Sequence, residues 1–97
     1  MYARVISTQA TSDQLEAAVS VAHEQLPGAR AQHGYRGMYV LTDRAAGQVL
    51  TISLWESRED LQAVEARAAG IRRTAARSLG ATELQVDIYQ VEVADQA

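Results

Sequence analysis

The chain has 97 residues, a net charge of −3 and no cysteine. This length suits one domain with a modest core, and the lack of cysteine excludes disulfides and thiolate-bound metals. The mixed, slightly acidic charge argues against nucleic acid or a membrane surface as partner, and no apolar run approaches the ~20 residues of a membrane helix. We therefore expect a single cytoplasmic domain over residues 1–97, with 94–97 as a loose tail and no signal peptide.

The first part of the chain predicts a strand and then a capped helix. Tyr2 to Thr8 is rich in β-branched and aromatic residues, and Thr11 and Gln14 have the spacing of a capping box. Pro27 and Gly28 are expected to end the helix, because proline cannot continue the hydrogen-bond ladder. The apolar face of the helix holds Leu15, Val19, Ala22 and Leu26.

Two strands, Tyr35 to Asp43 and Gln48 to Glu56, form a predicted hairpin. Gly47 of the connecting loop can adopt a positive φ at no steric cost. If Asp43 pairs with Gln48, alternate residues share a face of the sheet. One face then holds Met38, Val40, Thr42, Val49, Thr51, Ser53 and Trp55. The other face holds Tyr39, Leu41, Leu50, Ile52 and Leu54.

The remainder predicts a second helix and a final strand. Ser57 is the expected N-cap of a helix that runs to Leu79, and Gly70 either kinks this helix or separates two abutting helices. Its apolar stripe holds Leu61, Val64, Ala68, Ile71, Ala75 and Leu79. Glu83 to Val93 is the final strand, whose apolar residues change parity. Either a bulge or a crossing between two environments explains that change.

The element order β-α-β-β-α-β predicts a ferredoxin-like α+β fold, with two helices on one face of a four-stranded antiparallel sheet. The hairpin is apolar on both faces, so the uncovered face needs a partner. We expect a homodimer packed sheet to sheet. Its interface holds Tyr39, Leu41, Leu50, Ile52 and Leu54.

Three stretches resemble the antibiotic biosynthesis monooxygenase family of dimeric α+β barrels. They are GYRG at 34–37, LTDRAAG at 41–47 and LWESREDL at 54–61. The resemblance implies a ferredoxin-like protomer, a homodimer of facing sheets and a small-molecule cavity between sheet and helices. The family includes cofactor-free quinone-forming oxygenases and haem-degrading enzymes.

The active residues of those two groups are not reproduced here. The haem-degrading members use an asparagine in strand one, a tryptophan ending strand three and a helix histidine. Trp55 matches the tryptophan, but strand one offers Ser7 and Thr8, and Glu65 stands near the histidine position. The polyketide oxygenases use an asparagine and a tyrosine near this tryptophan, where this chain has Thr51 and Leu61. We expect no haem degradation and no bound cofactor.

Trp55 is the centre of the predicted ligand pocket. Beside the small side chains of Thr51 and Ser53, its indole would form a wall against an apolar or aromatic molecule. The alternative is simple core packing at a strand–helix junction. The predicted pocket residues are Trp55, Ser53, Thr51, Val40, Met38, Arg4, Glu65 and His33.

Several charged residues allow two interpretations each. Arg4, within a strand, needs a partner such as Glu65, Asp87 or a ligand carboxylate. His33 is either a surface residue or a base at a cavity mouth, and His23 flanks the first helix's apolar stripe. Neither histidine has a partner at metal-ligand spacing, so no metal site is expected. Three arginines near the C-terminal end of the second helix are either solvated or control the access of an anion. They are Arg72, Arg73 and Arg77.

The sequence is compatible with two functions. The first is a cofactor-free monooxygenase acting on a phenolic or quinol-like metabolite. The second is a non-catalytic dimeric module that binds a ligand or another protein.

Overall fold

The computed structural model describes residues 1–66 and 84–95. Within these ranges the first helix and four strands are β1 (Tyr2–Gln9), α1 (Ser12–Arg30), β2 (Tyr35–Asp43), β3 (Gln48–Trp55) and β4 (Leu84–Gln90). A second helix, α2, occupies residues 58–66 of the described chain. The predicted features at Gly70, at the three arginines and along the later apolar stripe lie outside the described residues.

The four strands form one antiparallel sheet in the order β2-β3-β1-β4. This arrangement confirms the predicted ferredoxin-like α+β class. Among the described residues, no helix combines the length and apolar character that crossing a bilayer requires.

The predicted hairpin register is confirmed. Asp43 pairs with Gln48, and alternation continues along both strands as far as Gly37. Gly47 has φ 67°, and a Cβ at this position would lie 2.8 Å from the carbonyl oxygen of Ala10. A glycine is therefore required where the hairpin loop crosses the end of β1. The register shifts between Tyr35 and Gly37, which leaves Arg36 as the extra residue of a β-bulge.

The N-terminus of α1 confirms the capping box, but its predicted end is wrong. Thr11 Oγ1 accepts from the Gln14 amide, and the Gln14 side chain accepts from the Thr11 amide. The helix passes through Pro27 and ends at Arg30. Proline removes the bond that its own nitrogen would donate, yet its carbonyl still accepts from the Ala31 amide at 3.3 Å. Residues after the proline can therefore complete one more turn.

Of the two explanations for the parity change in the last strand, the bulge is wrong. This strand pairs with β1 in unbroken register, from Leu84 opposite Thr8 to Gln90 opposite Tyr2. No bulge interrupts Leu84–Gln90, and the strand ends at Gln90 instead of the predicted Val93. The amide of Val91 donates to the Met1 carbonyl, and Val93 beyond it is largely exposed.

The core of the described region lies between the helices and one face of the sheet. Its most buried large side chains are Leu15, Leu61 and Trp55. The opposite face is open in a single protomer: Tyr39 is 50% exposed and Leu41 is 47% exposed. The sheet therefore has one covered face and one uncovered face, as the hairpin pattern predicts.

Candidate functional site

The strand registers arrange the helix-covered face of the sheet in four transverse rows. From β2 to β4 the rows are Tyr35-Trp55-Tyr2-Gln90, Met38-Ser53-Arg4-Ile88, Val40-Thr51-Ile6-Val86 and Thr42-Val49-Thr8-Leu84. The predicted pocket residues that belong to strands therefore share one face and occupy three neighbouring rows.

Trp55 is the last residue of β3, one of the two central strands, and is 2% exposed. Its indole Nε1 donates a hydrogen bond of 3.0 Å to the buried Ser53 Oγ. The Tyr35 ring meets the indole edge to face, with centroids 5.7 Å apart. Because the indole donor is already satisfied, these contacts favour the core-packing interpretation of Trp55. A ligand-lining role for this residue stays a prediction.

Arg4 lies in the same face, with a side chain that is 8% exposed. It forms an ion pair with Glu65 of α2, which confirms the first of the predicted partners. Asp87 pairs with Val5 and so belongs to the open face, where it accepts from Gln85. A buried arginine would cost several kcal/mol without a counter-charge, so the pair with Glu65 joins β1 to α2.

His33 is exposed in the connection between α1 and β2, and its side chain contacts the first turn of α2. Its Nδ1 is 2.6 Å from Asp60 Oδ1, while Ser57 Oγ donates to Asp60 Oδ2 and accepts from the Asp60 amide. The hydrogen bond with Asp60 and the carboxylate charge raise the pKa of His33 above 6.5. Hydrogen bonds from His33 and Ser57 lower the pKa of Asp60 below 3.8. Ser57 is thus the N-cap predicted from the sequence, and His33 braces the same helix turn.

An open cleft of about 310 Å³ lies between α1 and β2. Its volume is in the range of small-molecule sites. Apolar side chains from both elements form most of the wall, with an imidazole, a hydroxyl and a guanidinium as the polar groups. The lining residues are Val19, Ala22, His23, Leu26, Met38, Val40, Thr42 and Arg44.

Met38 and Val40 are the two predicted pocket residues that line this cleft. Ser53 and Thr51 are their partners on the adjacent strand and share the same face. The other predicted residues, Trp55, Arg4, Glu65 and His33, do not line it. The cleft therefore lies on the predicted face, but nearer the β2 edge of the sheet.

Sequence reasoning missed two polar residues of the cleft. His23 completes the helical spacing of Val19 and Leu26, and so belongs to the face turned toward β2. Arg44 has the parity of Thr42 and continues that face past the end of the strand. Both positions were recognisable in the pattern once α1 was known to cover β2. Arg44 also forms an ion pair with Glu16 of α1.

The cleft's polar groups suit an anion or a phenolic oxygen better than a cation. Arginine and the threonine hydroxyl donate hydrogen bonds, and imidazole either donates or accepts. Within residues 1–66 and 84–95, no three histidine, aspartate or glutamate side chains group to hold a metal ion.

Residues 1–70 match the family model described as antibiotic biosynthesis monooxygenase. This match spans more than half of the 97 residues, and the chain therefore belongs to the antibiotic biosynthesis monooxygenase family. No curated protein matches the sequence significantly.

Solved structures share the fold at low sequence identity. A candidate antibiotic biosynthesis monooxygenase from Deinococcus radiodurans has TM-score 0.81 and 16% identity, covering 100% of this chain and 98% of its own. The monooxygenase from the gene ActVA-Orf6 of Streptomyces coelicolor, in complex with nanaomycin D, has TM-score 0.79 and 14% identity, covering 99% and 91%. The heme-degrader MhuD of Mycobacterium tuberculosis, with two hemes in its active site, has TM-score 0.76 and 16% identity, covering 99% and 100%.

Proposed function

We propose that this protein binds a small phenolic or quinol-like molecule in the α1–β2 cleft and oxidises it with molecular oxygen, without a bound cofactor. The observation that carries the proposal is the cleft itself, an apolar-walled space of about 310 Å³ with three hydrogen-bonding groups. Family membership supports it, as does a structural relative that is a monooxygenase bound to nanaomycin D.

The proposed chemistry converts a phenol to a quinone. One oxygen atom of O₂ becomes the new carbonyl, and the other leaves as water with the hydroxyl and ring hydrogens of the substrate. Such a reaction starts from the phenolate, so it needs a proton acceptor and donors that hold the anion. His23 is the acceptor in this proposal, because an unprotonated imidazole nitrogen can take a proton, and Thr42 and Arg44 are the donors.

Oxygen uptake with a panel of naphthols and hydroquinones tests the activity. For a substrate that is turned over, His23→Gln should lower kcat by about 10²-fold, as expected for loss of a general base. His33→Gln is the matched control, because His33 is the other histidine and lies outside the cleft. No uptake above the uncatalysed rate with any panel member would contradict the proposal.

The second candidate is a non-catalytic ligand-binding module. It is favoured by the Trp55 indole, whose donor is bonded to Ser53, and by the absence of asparagine from the sequence, since the positions near the tryptophan hold Thr51 and Leu61. Native mass spectrometry of the purified protein distinguishes the two. A retained or added phenol that binds without oxygen uptake would support the binding module.

We also propose that two copies associate through the open face of the sheet. Tyr39 and Leu41 are about half exposed there, and Tyr89 of β4 extends the surface on the other side. Exposed apolar surface of this kind is typical of interfaces. The proposed interface holds Tyr39, Leu41, Leu50, Ile52 and Leu54. The single-domain boundary and the cytoplasmic location stay predictions.

A further inference from the structure

We propose that the α1–β2 cleft selects aromatic molecules that carry an anionic group, held by Arg44 at the rim. This inference rests on the proposed function, because it names the substrate class of the same cleft. Among the described lining residues none is a carboxylate, and their one permanent charge is the Arg44 guanidinium, which pairs with Glu16 from outside the lining. The rest of this wall is mainly apolar, so the charged hydrogen-bond donors of the cleft lie at one end.

Arg44 can accept a ligand without losing a strong internal contact. Its present partner is Glu16, and the two side chains are 59% and 65% exposed. Exposed ion pairs contribute little to stability, since water screens both charges. Glu16 contacts the guanidinium through Nη1, while guanidinium has five N–H donors in a planar fork. A ligand carboxylate can share the fork or displace Glu16, and two parallel hydrogen bonds would fix its orientation.

The position of Arg44 sets the direction in which such a ligand lies. Arg44 follows the last residue of β2, whereas Met38 lies further back along the same strand. Met38 to Thr42 is four residue steps of about 3.3 Å, or roughly 13 Å of apolar-walled strand. A fused-ring body along β2 therefore places an acidic substituent at the solvent-facing end, where its desolvation cost is small.

His23 strengthens the same preference. It comes from α1, on the other wall of the cleft, and its imidazole N–H can donate a hydrogen bond to an anion. The whole protein carries net charge −3, so the attraction is local to the cleft and not a property of the overall surface. A local attraction of exposed charges should weaken as salt increases.

The test compares 2-naphthoate with 2-naphthamide, which has nearly the same shape and no charge, by isothermal titration calorimetry on the full chain. We expect 2-naphthoate to bind at least tenfold more tightly, and expect that ratio to fall with added salt. Arg44→Gln should bring the ratio close to one, and Arg44→Lys should retain much of it. Arg36→Gln is the matched control, because Arg36 is an exposed arginine of the same strand, paired with Glu56 and outside the cleft.

Equal binding of the two probes by the unaltered protein would overturn the charge preference, while cleft binding would stand. Loss of the preference in Arg36→Gln as well as in Arg44→Gln would also overturn it, because the effect would then be one of general surface charge. If phenols of the oxygen-uptake panel also fail to bind, the proposed function fails together with this inference. Far-UV circular dichroism checks that each variant is folded.

Discussion

His33 and Asp60 are 27 residues apart in the sequence, yet Nδ1 of the histidine lies 2.6 Å from Oδ1 of the aspartate. The contact joins the connection between α1 and β2 to the first turn of α2. The backbone makes a parallel link one residue later, where the Glu56 amide donates to the Gly34 carbonyl at 2.7 Å. The two helix-bearing halves of the fold are thus tied together at this end of the sheet.

The His33–Asp60 pair should make stability depend on pH. The raised pKa of His33 means that its contribution is complete below pH 6.5 and is lost as pH rises through its folded-state pKa. The lowered pKa of Asp60 means that its contribution is present above pH 3.8 and is lost as pH falls through its folded-state pKa. His33→Gln should therefore lower the free energy of unfolding more at about pH 5.5 than at about pH 8.5.

Urea unfolding at the two pH values measures this difference. In an Asp60→Asn background the pH-dependent part of the effect should disappear, because the negative partner is gone. An equal effect of His33→Gln at both pH values would refute the pairing as a source of stability.

Gly34→Ala should destabilise the protein by roughly 1–3 kcal/mol. Gly34 has φ 81°, where a β-carbon is strained, and the new Cβ would lie 2.2 Å from Asp60 Oδ2. Gly28→Ala is the control, since a Cβ at this position of α1 meets nothing within 4 Å. That change should be neutral or stabilising by up to about 1 kcal/mol. Thermal unfolding of both variants is the measurement, and equal melting temperatures would contradict the prediction.

The bond between Trp55 and Ser53 should be measurable by a double-mutant cycle. Ser53→Ala leaves the buried indole N–H without its acceptor, which costs about 1–3 kcal/mol. In a Trp55→Phe background the same change should cost much less, because no donor remains to be satisfied. Urea unfolding followed by circular dichroism gives the four free energies. Additive effects of the two substitutions would show that the bond contributes no stability.

Residue patterns within a few positions predicted the order, caps and hairpin register of the elements. The ends of α1 and β4 depend on tertiary packing, and there the predictions were wrong. The pairing of Asp43 with Gln48 and the cap at Thr11 follow from residue types a few positions apart. The end of α1 was missed because a proline near the last turn removes one donor and does not stop the helix. The end of β4 was missed because it is set by the first residue of β1, Tyr2, which pairs with Gln90, and the side-chain pattern of β4 does not contain this information.

The cleft lies on the face where the sequence places the pocket, but the residue pattern does not show which side chains of that face are accessible. Ser53 and Trp55 are two positions apart on one side of a strand, so their contact satisfies both polar groups and buries them. His23 and Arg44 line the cleft because α1 packs against β2. That packing involves two elements, and the spacing of residues within either one does not specify it.

Leu41→Lys should separate the proposed dimer without unfolding the protomer. Leu41 is 47% exposed in a single copy, so a lysine there costs the isolated fold little. In a sheet-to-sheet interface the same charge would be buried, at a cost of several kcal/mol unless it is paired. Light scattering should give a dimer mass for the unaltered chain and a monomer mass for the variant. Ile52, which is more buried, is a poorer choice because a charge there would also threaten folding.

Gln62→Lys controls for the added charge, because Gln62 is exposed on α2, which packs on the other face of the sheet. This variant should remain dimeric. A monomer mass for the unaltered chain at micromolar concentration would argue against the interface.

Hemin should not form a stoichiometric complex with this protein, despite the fold shared with a heme-degrader. Haem iron needs an axial ligand, and residues 58–66 of α2 contain no histidine. Glu65 is engaged by Arg4, and His33 is engaged by Asp60. His23 lies on α1, so reaching the iron from it would require a different haem pose. Titration should therefore give no sharp Soret shift and, with reductant, no biliverdin-like product. A one-to-one complex that Glu65→Ala abolishes would reverse this conclusion.

Because Arg36 is an extra residue in β2, Tyr35 and Tyr39 lie on opposite faces of the sheet. Tyr35 and Tyr39 are four positions apart and would share a side of a regular strand. The bulge instead places Tyr35 against Trp55 and leaves Tyr39 on the uncovered face. Deleting Arg36 would remove the bulge and turn the Tyr35 ring away from Trp55 toward the uncovered face. As long as the bulge persists, mutations at Tyr39 can alter how copies meet while the interior beside Trp55 keeps its own aromatic neighbour.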